Sequence, residues 1–420
     1  MTIFLTIAIV LGLTALFAYL NERFLGLQQT IGLMVLALVG TLFIGVLKAT
    51  GVIDLVPEVQ AFVTSLALHE TLLNGVLCFM LFAGSINVKA RVLGEEKWVI
   101  LTLAIGATLI AAILIGGALW GLFAFFGVGL TLIYALIFGA LISPTDPIAA
   151  LAILGKVGMP PKLEAIITGE SLFNDGVGVV VFTIFVTVAV GTEQPTAGDA
   201  LVMFLREVLG GIALGFAASG LMHHMLVRTS DYGTQVLISL SIVALGYAVA
   251  EHLEISGPIA MVVTGLVIGN YTMPRLGQGE RLPFKTFWRA VDEVLNSVLF
   301  VLIGLHIAVV PLFAPGIPTA LCAIVVCLMV RWISVYLPLN ALSMAGALKA
   351  DTLGLTNLLT WGGLRGGLAI AMALSLPNGP EKDIILHMTY GVVAFSIIVQ
   401  GLSIGRIFKA DQMKCLLKRG

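Results

Sequence analysis

The sequence predicts an all-α, polytopic membrane protein built as one membrane domain. Hydrophobic residues make up 59% of the 420 residues and charged residues only 11%, whereas soluble domains carry about 25% charged residues. The mean hydropathy is +1.09. A soluble core of this length could not bury so much apolar surface, so we expect most of the chain to lie in a bilayer.

Apolar stretches predict about thirteen transmembrane helices, since each crossing needs about 20 apolar residues. We interpret the first stretch as a retained helix, because no Lys or Arg precedes it as in a signal peptide. The stretches lie near residues 2–20, 30–47, 70–87, 98–125, 131–153, 163–190, 200–226, 234–252, 256–270, 287–310, 317–345, 353–376 and 385–407.

Basic residues are distributed unevenly between the loops. With the amino terminus outside, the external loops contain only Lys48 and Lys382 of the 22 lysines and arginines. Nearly all the others fall in the predicted cytoplasmic loops and tail, including a polar connection at residues 270–289. This asymmetry follows the positive-inside rule, so we expect an external amino terminus and a cytoplasmic carboxyl terminus.

Two of the predicted segments are interrupted. Residues 143–147 (Ser-Pro-Thr-Asp-Pro) break the fifth and residues 361–367 (Trp-Gly-Gly-Leu-Arg-Gly-Gly) break the twelfth. Segments seven apart run in opposite directions, as expected of inverted repeats whose broken helices meet at a binding site. Asp146 and Arg365 could each compensate the partial charges of one pair of half-helix ends. The alternative is a pair of simple kinks, because Gly and Pro are common in membrane helices.

The sixth segment carries the most informative polar residues. Ser171, Asn174 and Asp175 share one helical face. Oxygen atoms of Asp175, Ser171, Asp146 and Thr145 could bind a small hard cation such as Na⁺ or Li⁺. The alternative is that Asn174 and Asp175 only join helices by hydrogen bonds. A carboxylate at the bilayer centre costs at least about 3 kcal/mol, which favours a functional site.

Glu170 adds a second acid beside Asp175, and Arg331 stands alone in the apolar eleventh segment. We predict a buried ion pair between Glu170 and Arg331 that joins the sixth and eleventh segments and leaves Asp175 free to titrate. The alternative is that Arg331 extends to the cytoplasmic interface, as long basic side chains can.

These motifs resemble those of a known family. Residues 169–176 (Gly-Glu-Ser-Leu-Phe-Asn-Asp-Gly), 143–147 and 362–366 are similar to the signature segments of the monovalent cation:proton antiporters, in the sodium/proton exchanger branch with an Asn-Asp pair. Residues 256–260 and 296–305 also resemble that branch. The order and spacing match over nearly the whole chain.

The resemblance implies the antiporter fold: thirteen helices with two crossed unwound segments, in a homodimer in the prokaryotic plasma membrane. Residues 1–97 and 200–310 would form the dimerisation scaffold, residues 98–190 and 317–407 a six-helix transport core, and residues 408–420 a short cytoplasmic tail. The implied partners are monovalent cations, protons and membrane lipids. No cofactor, enzymatic activity or nucleic acid is implied.

The resemblance also implies residue roles. Asp175 would bind a cation and a proton alternately, and Asn174 would support the crossed chains. Thr145, Asp146 and Ser171 would supply oxygens or orient the site. Glu170 would pair with Arg331, and Arg365 would lie at the twelfth-segment break.

The implied function is pH homeostasis by secondary exchange of Na⁺ or Li⁺ for H⁺. We expect electroneutral 1:1 stoichiometry, because one acid titrates in the Asn-Asp pair, with alternating access. The alternatives are a K⁺/H⁺ antiporter of the same fold and a sodium-coupled symporter for an organic anion. One departure concerns Ala83, where many members carry a glutamate, and it puts ion selectivity and pH regulation in doubt.

Overall fold

The computed structural model describes residues 3–51, 75–191, 196–309, 316–348 and 350–416. These residues are almost entirely helical, and the described part contains no β-strand, only an isolated bridge between Asp146 and Leu364. The predicted all-α class is therefore confirmed. In lipid a helix satisfies its own backbone hydrogen bonds, which explains why the apolar stretches adopt this structure.

Seventeen helices are described, besides a 3₁₀ turn at Met273–Arg275 and π-helical turns at Asn21–Leu25 and Ile268–Thr272. In chain order they are α1 (Ile3–Leu20), α2 (Gln29–Ala49), α3 (Leu77–Ile86), α4 (Ala90–Glu95), α5 (Lys97–Phe126), α6 (Leu132–Ile142), α7 (Ile148–Val157), α8 (Pro161–Val190), α9 (Ala197–Leu226), α10 (Tyr232–His252), α11 (Gly257–Val267), α12 (Gln278–Val309), α13 (Gly316–Met344), α14 (Thr352–Gly362), α15 (Gly367–Ser375), α16 (Pro380–Ile407) and α17 (Ala410–Leu416).

Eight of the described helices are long and apolar enough to cross a bilayer, namely α1, α2, α5, α8, α9, α10, α13 and α16. The shorter helices α6 and α7 together cover the fifth predicted segment, and α14 and α15 cover the twelfth. Some predicted parts lie outside the described residues, namely residue 2 of the first segment, residues 70–74 of the third, residue 310 of the tenth and residues 417–420 of the tail. The number of thirteen crossings stays a prediction.

Helix α12 begins earlier than the sequence indicated. The connection predicted for residues 270–289 ends at Gln278, where α12 starts, and the helix continues through Pro283. Phe284 and Trp288, one helical turn apart, are completely buried. Their burial explains why a stretch rich in basic residues is helical, and the basic side chains of Arg281 and Arg289 remain exposed.

Two large apolar clusters form the interior. The larger lies mainly on α5, α6, α7, α8, α13, α14, α15 and α16, and the smaller lies mainly on α3, α9, α10, α11 and the first half of α12. Trp288 belongs to the smaller cluster. Its ring centroid lies 4.6 Å from that of Phe82 in an edge-on contact, and its Nε1 donates a hydrogen bond to the Ser239 hydroxyl at 3.1 Å. The two helix breaks belong to the larger cluster.

Candidate functional site

The two helix breaks cross and bond to each other. Between α6 and α7 the main-chain nitrogen of Asp146 donates a hydrogen bond to the carbonyl oxygen of Leu364, between α14 and α15, at 2.8 Å. The prolines at 144 and 147 prevent a continuous helix here. In the second break, Gly366 has no side chain, so this segment can lie close to the Asp146 side chain. The crossing of unwound segments that the inverted-repeat pattern predicted is present.

Charged side chains stabilise the helix ends at this crossing. Arg365 is 4% exposed, and its Nη1 donates to the carbonyl oxygens of Ser143 and Pro144 just beyond the carboxyl end of α6. The Asp146 carboxylate accepts from the main-chain nitrogen of Ile148, at the start of α7, at 2.9 Å. A cation at a helix carboxyl end and an anion at an amino end both oppose the local partial charge.

A buried polar network joins α8 to the first break. The Asn174 amide donates to the Thr145 hydroxyl at 3.0 Å, and its carbonyl oxygen accepts from the Thr145 main-chain nitrogen at 3.4 Å. The Thr145 and Ser171 hydroxyls lie 3.2 Å apart. All three residues are buried. The network fixes the neutral member of the Asn-Asp pair against the crossing.

Glu170 and Arg331 form a buried ion pair. Arg331 Nη2 lies 2.7 Å from Glu170 Oε1, and each side chain is only 2% exposed. The same Nη2 lies 3.4 Å from the carbonyl oxygen of Leu359 on α14. Arg331 therefore points into the protein rather than to the interface, and it links α8, α13 and α14.

A cavity of about 130 Å³ lies beside the crossing, between α3 and α12 on one side and α8, α15 and the first break on the other. Its lining includes Asp146, Ser171 and Asp175 among mostly apolar side chains. In the described part of the chain, no group donates a hydrogen bond to the Asp175 carboxylate. Thr145 and Asn174 are not part of this lining and lie behind it. The Asp175 carboxylate is therefore available to a small ion.

The groups that line the cavity supply oxygen atoms, the ligands of hard cations. Within the described ranges, no three His, Cys, Asp or Glu side chains lie close enough to hold a metal ion together. The oxygens at the cavity come from separate carboxylates and the Ser171 hydroxyl. Hard cations accept such oxygen ligands.

Comparison with known proteins identifies the family. The sequence profile described as "Sodium/hydrogen exchanger, transmembrane" matches residues 12–410. The chain belongs to this sodium/hydrogen exchanger family. The family resemblance seen in the motifs is thereby confirmed.

Relatives of this exchanger extend over the same length. It is 40% identical over 405 residues to the Na⁺/H⁺ antiporter NhaP of Pseudomonas aeruginosa, which covers 96% of both chains. The Na⁺/H⁺ antiporter NhaH of Halobacillus dabanensis is 31% identical, and the aligned region covers 88% of this chain and 91% of that relative. The solved structure of the sodium proton antiporter MjNhaP1 from Methanocaldococcus jannaschii matches with a TM-score of 0.70 at 18% identity, over 93% of this chain and 99% of that one. This last similarity confirms the antiporter fold.

Sequence reasoning missed two features of the exchanger's site. Ser396 accepts a hydrogen bond from the main-chain nitrogen of Arg365 at 2.9 Å, and the Gln400 amide donates to the carbonyl oxygen of Trp361 at 3.3 Å. Both lie on a π-helical turn of α16. The available signal was their spacing of four residues on one helical face within an apolar segment.

The second missed feature is Asp292 on α12, which lines the cavity together with Asp146 and Asp175. It stands inside the predicted tenth segment, where an acid is itself a signal. Ala83, at the position where the family pattern often has glutamate, is buried but does not line the cavity, although its neighbour Gly84 does.

Proposed function

We propose that this exchanger couples the movement of Na⁺ or Li⁺ to the opposite movement of H⁺ by competition at Asp175. The observation that carries the proposal is the free Asp175 carboxylate in a cavity at the crossing of two broken helices, beside Asp146 and Ser171. Relatives that share nearly the full length are named Na⁺/H⁺ antiporters. Thr145 and Asn174 hold Ser171 and the crossing in place.

Competition follows from the Asn-Asp pair on α8, in which Asp175 is the single ionisable member. Asn174 is neutral, and the Glu170 charge is balanced by Arg331 at 2.7 Å. Asp175 can therefore hold either one cation or one proton. If an empty, charged carboxylate crosses the apolar barrier poorly, each half-cycle carries one ion, and one Na⁺ exchanges for one H⁺ without net charge movement.

The two apolar clusters support alternating access by rigid-body movement. In this proposal the core of residues 98–190 and 317–407 moves against a scaffold of residues 1–97 and 200–310. The cavity is lined from both, by α3 and α12 on the scaffold side and by α8 and α15 on the core side. Helix α9 exposes an apolar face, including Leu205, Leu209 and Phe216, which suits lipid or a second copy in a homodimer.

The distribution of basic residues supports insertion in the plasma membrane with the amino terminus outside and residues 408–420 in the cytoplasm. The cavity argues against an organic-anion symporter. Among the described residues that line it there is no Lys, Arg or His to pair with an anion. A K⁺/H⁺ antiporter of the same fold remains the second candidate, because K⁺ also accepts carboxylate and hydroxyl oxygens.

The test uses purified protein in liposomes that contain a pH dye. An imposed proton gradient should collapse when Na⁺ or Li⁺ is added, and the rate should not change when K⁺ and valinomycin fix the membrane potential at different values. A response to K⁺ alone would favour the second candidate. Asp175→Asn should abolish the response while retaining the melting temperature, because the two side chains have nearly the same size.

Glu164→Gln is a matched control for this test, because Glu164 is an exposed acid on the same helix, α8. It should transport as the wild type does. Na⁺-driven proton movement that persists in Asp175→Asn would overturn the proposed role of Asp175.

A further inference from the structure

Asp292 brings a carboxylate to the cavity from the scaffold side. Asp146 and Asp175 reach the cavity from the first break and from α8, whereas Asp292 reaches it from α12, one turn before Asn296. Neither the resemblance nor the motifs assigned a role to this residue. Its neighbour Glu293 is exposed and does not line the cavity.

The Asp292 carboxylate is held in place by a neutral group. The Asn296 amide donates to Asp292 Oδ1 at 3.0 Å and to the Asp292 carbonyl oxygen at 2.9 Å. Asn296 is only 2% exposed, so its side chain has little freedom to move away. One hydrogen bond leaves most of the acceptor capacity of a carboxylate unused, because two oxygens offer about four lone-pair sites.

Among the described residues, no cationic side chain pairs with the Asp292 carboxylate. Arg281 and Arg289 precede it on α12 but are exposed and do not line the cavity. An unpaired carboxylate among the apolar walls of the cavity creates a negative potential that attracts cations, and low-dielectric walls focus that potential.

We propose that Asp292 recruits the monovalent cation into the cavity and thereby sets the cation concentration at which exchange is half-maximal. This inference rests on the proposed function, and it deepens it. Asp175 binds the ion that is carried, whereas Asp292 stays on the scaffold and is not part of the carried site. Asn296 acts as a positioning residue, because it acts only through Asp292.

The location predicts a side-specific effect. Asp292 lies in the first half of α12, just after the basic residues that the positive-inside rule assigns to the cytoplasm. It therefore serves cations that arrive from the cytoplasmic face. Once the core has moved, the carried ion leaves Asp292 behind, so release and binding at the external face do not depend on it.

The experiment compares wild type, Asp292→Asn, Asp292→Glu and Glu293→Gln by Na⁺-dependent proton movement in everted membrane vesicles, whose cytoplasmic face is accessible. Asp292→Asn should raise the half-saturating Na⁺ concentration roughly fivefold at low ionic strength, because the cavity loses one negative charge that attracts cations. The maximal rate should not change. Asp292→Glu and Glu293→Gln should behave as wild type, and the difference should shrink in high concentrations of choline chloride. In right-side-out vesicles all four proteins should have equal half-saturating concentrations.

Asn296→Ala tests the positioning role and should raise the half-saturating concentration in the same direction, by less than Asp292→Asn does. Equal kinetics of Asp292→Asn and wild type would overturn the role of Asp292, as would an equal change in Glu293→Gln. Complete loss of exchange by a folded Asp292→Asn protein would also overturn it, because Asp292 would then be an obligatory ligand. Wild-type vesicles without Na⁺-driven proton movement would instead contradict the proposed function itself.

Discussion

The main-chain nitrogen of Asp146 and the carbonyl oxygen of Leu364 form a hydrogen bond of 2.8 Å where two interrupted helices cross. This hydrogen bond joins the two breaks directly, beside the bonds from Arg365 to the Ser143 and Pro144 carbonyl oxygens. It leaves the Asp146 side chain free to hold the amino end of α7 and to line the cavity. The crossing therefore bonds the two broken helices to each other and also forms one wall of the proposed ion site.

The buried Glu170–Arg331 pair should contribute strongly to stability. Glu170→Gln or Arg331→Met leaves one buried charge without its partner, which typically costs about 3–5 kcal/mol. Each single variant should therefore melt at a much lower temperature in detergent. The double variant should lose less than the sum of the two losses, because it leaves no buried charge unpaired. Additive losses would contradict a direct interaction.

The ion pair of Lys162 with Glu96 is the control for this comparison of single and double variants. Their charged atoms are also 2.7 Å apart, but the Lys162 side chain is 41% exposed. The Glu96 side chain is 13% exposed, so solvent reaches both partners. A pair accessible to solvent is worth about 0–1 kcal/mol, so Lys162→Gln should change the melting temperature much less than Glu170→Gln.

Arg365 should be essential for the geometry of the first break. Arg365→Gln removes a charged donor from the Ser143 and Pro144 carbonyl oxygens, and a hydrogen bond to a charged group is worth about 1.5–3 kcal/mol. We expect a lower melting temperature and loss of exchange in liposomes. Arg406→Gln, at an exposed position near the end of α16, should change neither property. Wild-type stability of Arg365→Gln would show that water can replace the guanidinium.

Gly178 allows α8 to approach the first break. A Cβ atom at this position would overlap the ring of Pro144. Gly178→Ala should cost about 1–3 kcal/mol, as overpacking does, and should slow exchange by displacing the break. At Gly155 on α7 a Cβ atom would meet nothing within 4 Å, and Gly155→Ala should stabilise by up to about 1 kcal/mol through helix propensity. Equal melting temperatures of the two variants would contradict this contact.

Competition at one carboxylate fixes the pH dependence of cation affinity. Below the pKa of the site the proton occupies it, so the half-saturating Na⁺ concentration should rise about tenfold per pH unit as the pH falls. Above that pKa it should be constant, and the maximal rate should vary much less than the affinity. Counterflow of ²²Na⁺ with equal pH on both sides, from about pH 5 to about pH 9, measures both quantities. A constant half-saturating concentration throughout the acidic range would indicate separate sites for cation and proton.

The sequence was most informative where charge and apolar context conflicted. Asp146 and Arg331 each stand alone in an apolar membrane segment, and Glu170 and Asp175 share another, where a charge is costly enough to require a reason. The structure brings Asp146 and Asp175 to one cavity and joins Glu170 to Arg331. The crossing of the breaks followed from their repeat-related positions.

Other features carried too weak a signal. Ser396 and Gln400 resemble the polar residues that commonly join membrane helices, and their role depends on which helix packs against the second break. Asp292 stands beside Glu293 near a group of basic residues, so the sequence alone does not separate the acid in the cavity from the exposed one. The early start of α12 depends on tertiary burial of Phe284 and Trp288.

The polar contacts at the crossing have a consequence for hydrogen exchange. The main-chain N–H groups of Asp146, Ile148 and Arg365 belong to irregular or terminal backbone, which normally exchanges with solvent quickly. Here each one is bonded to a protein oxygen, from Leu364, Asp146 and Ser396 respectively. They should exchange as slowly as the helix interiors even without Na⁺. The ion would then enter a preorganised site, and its affinity would not be reduced by the entropic cost of ordering the chain around it.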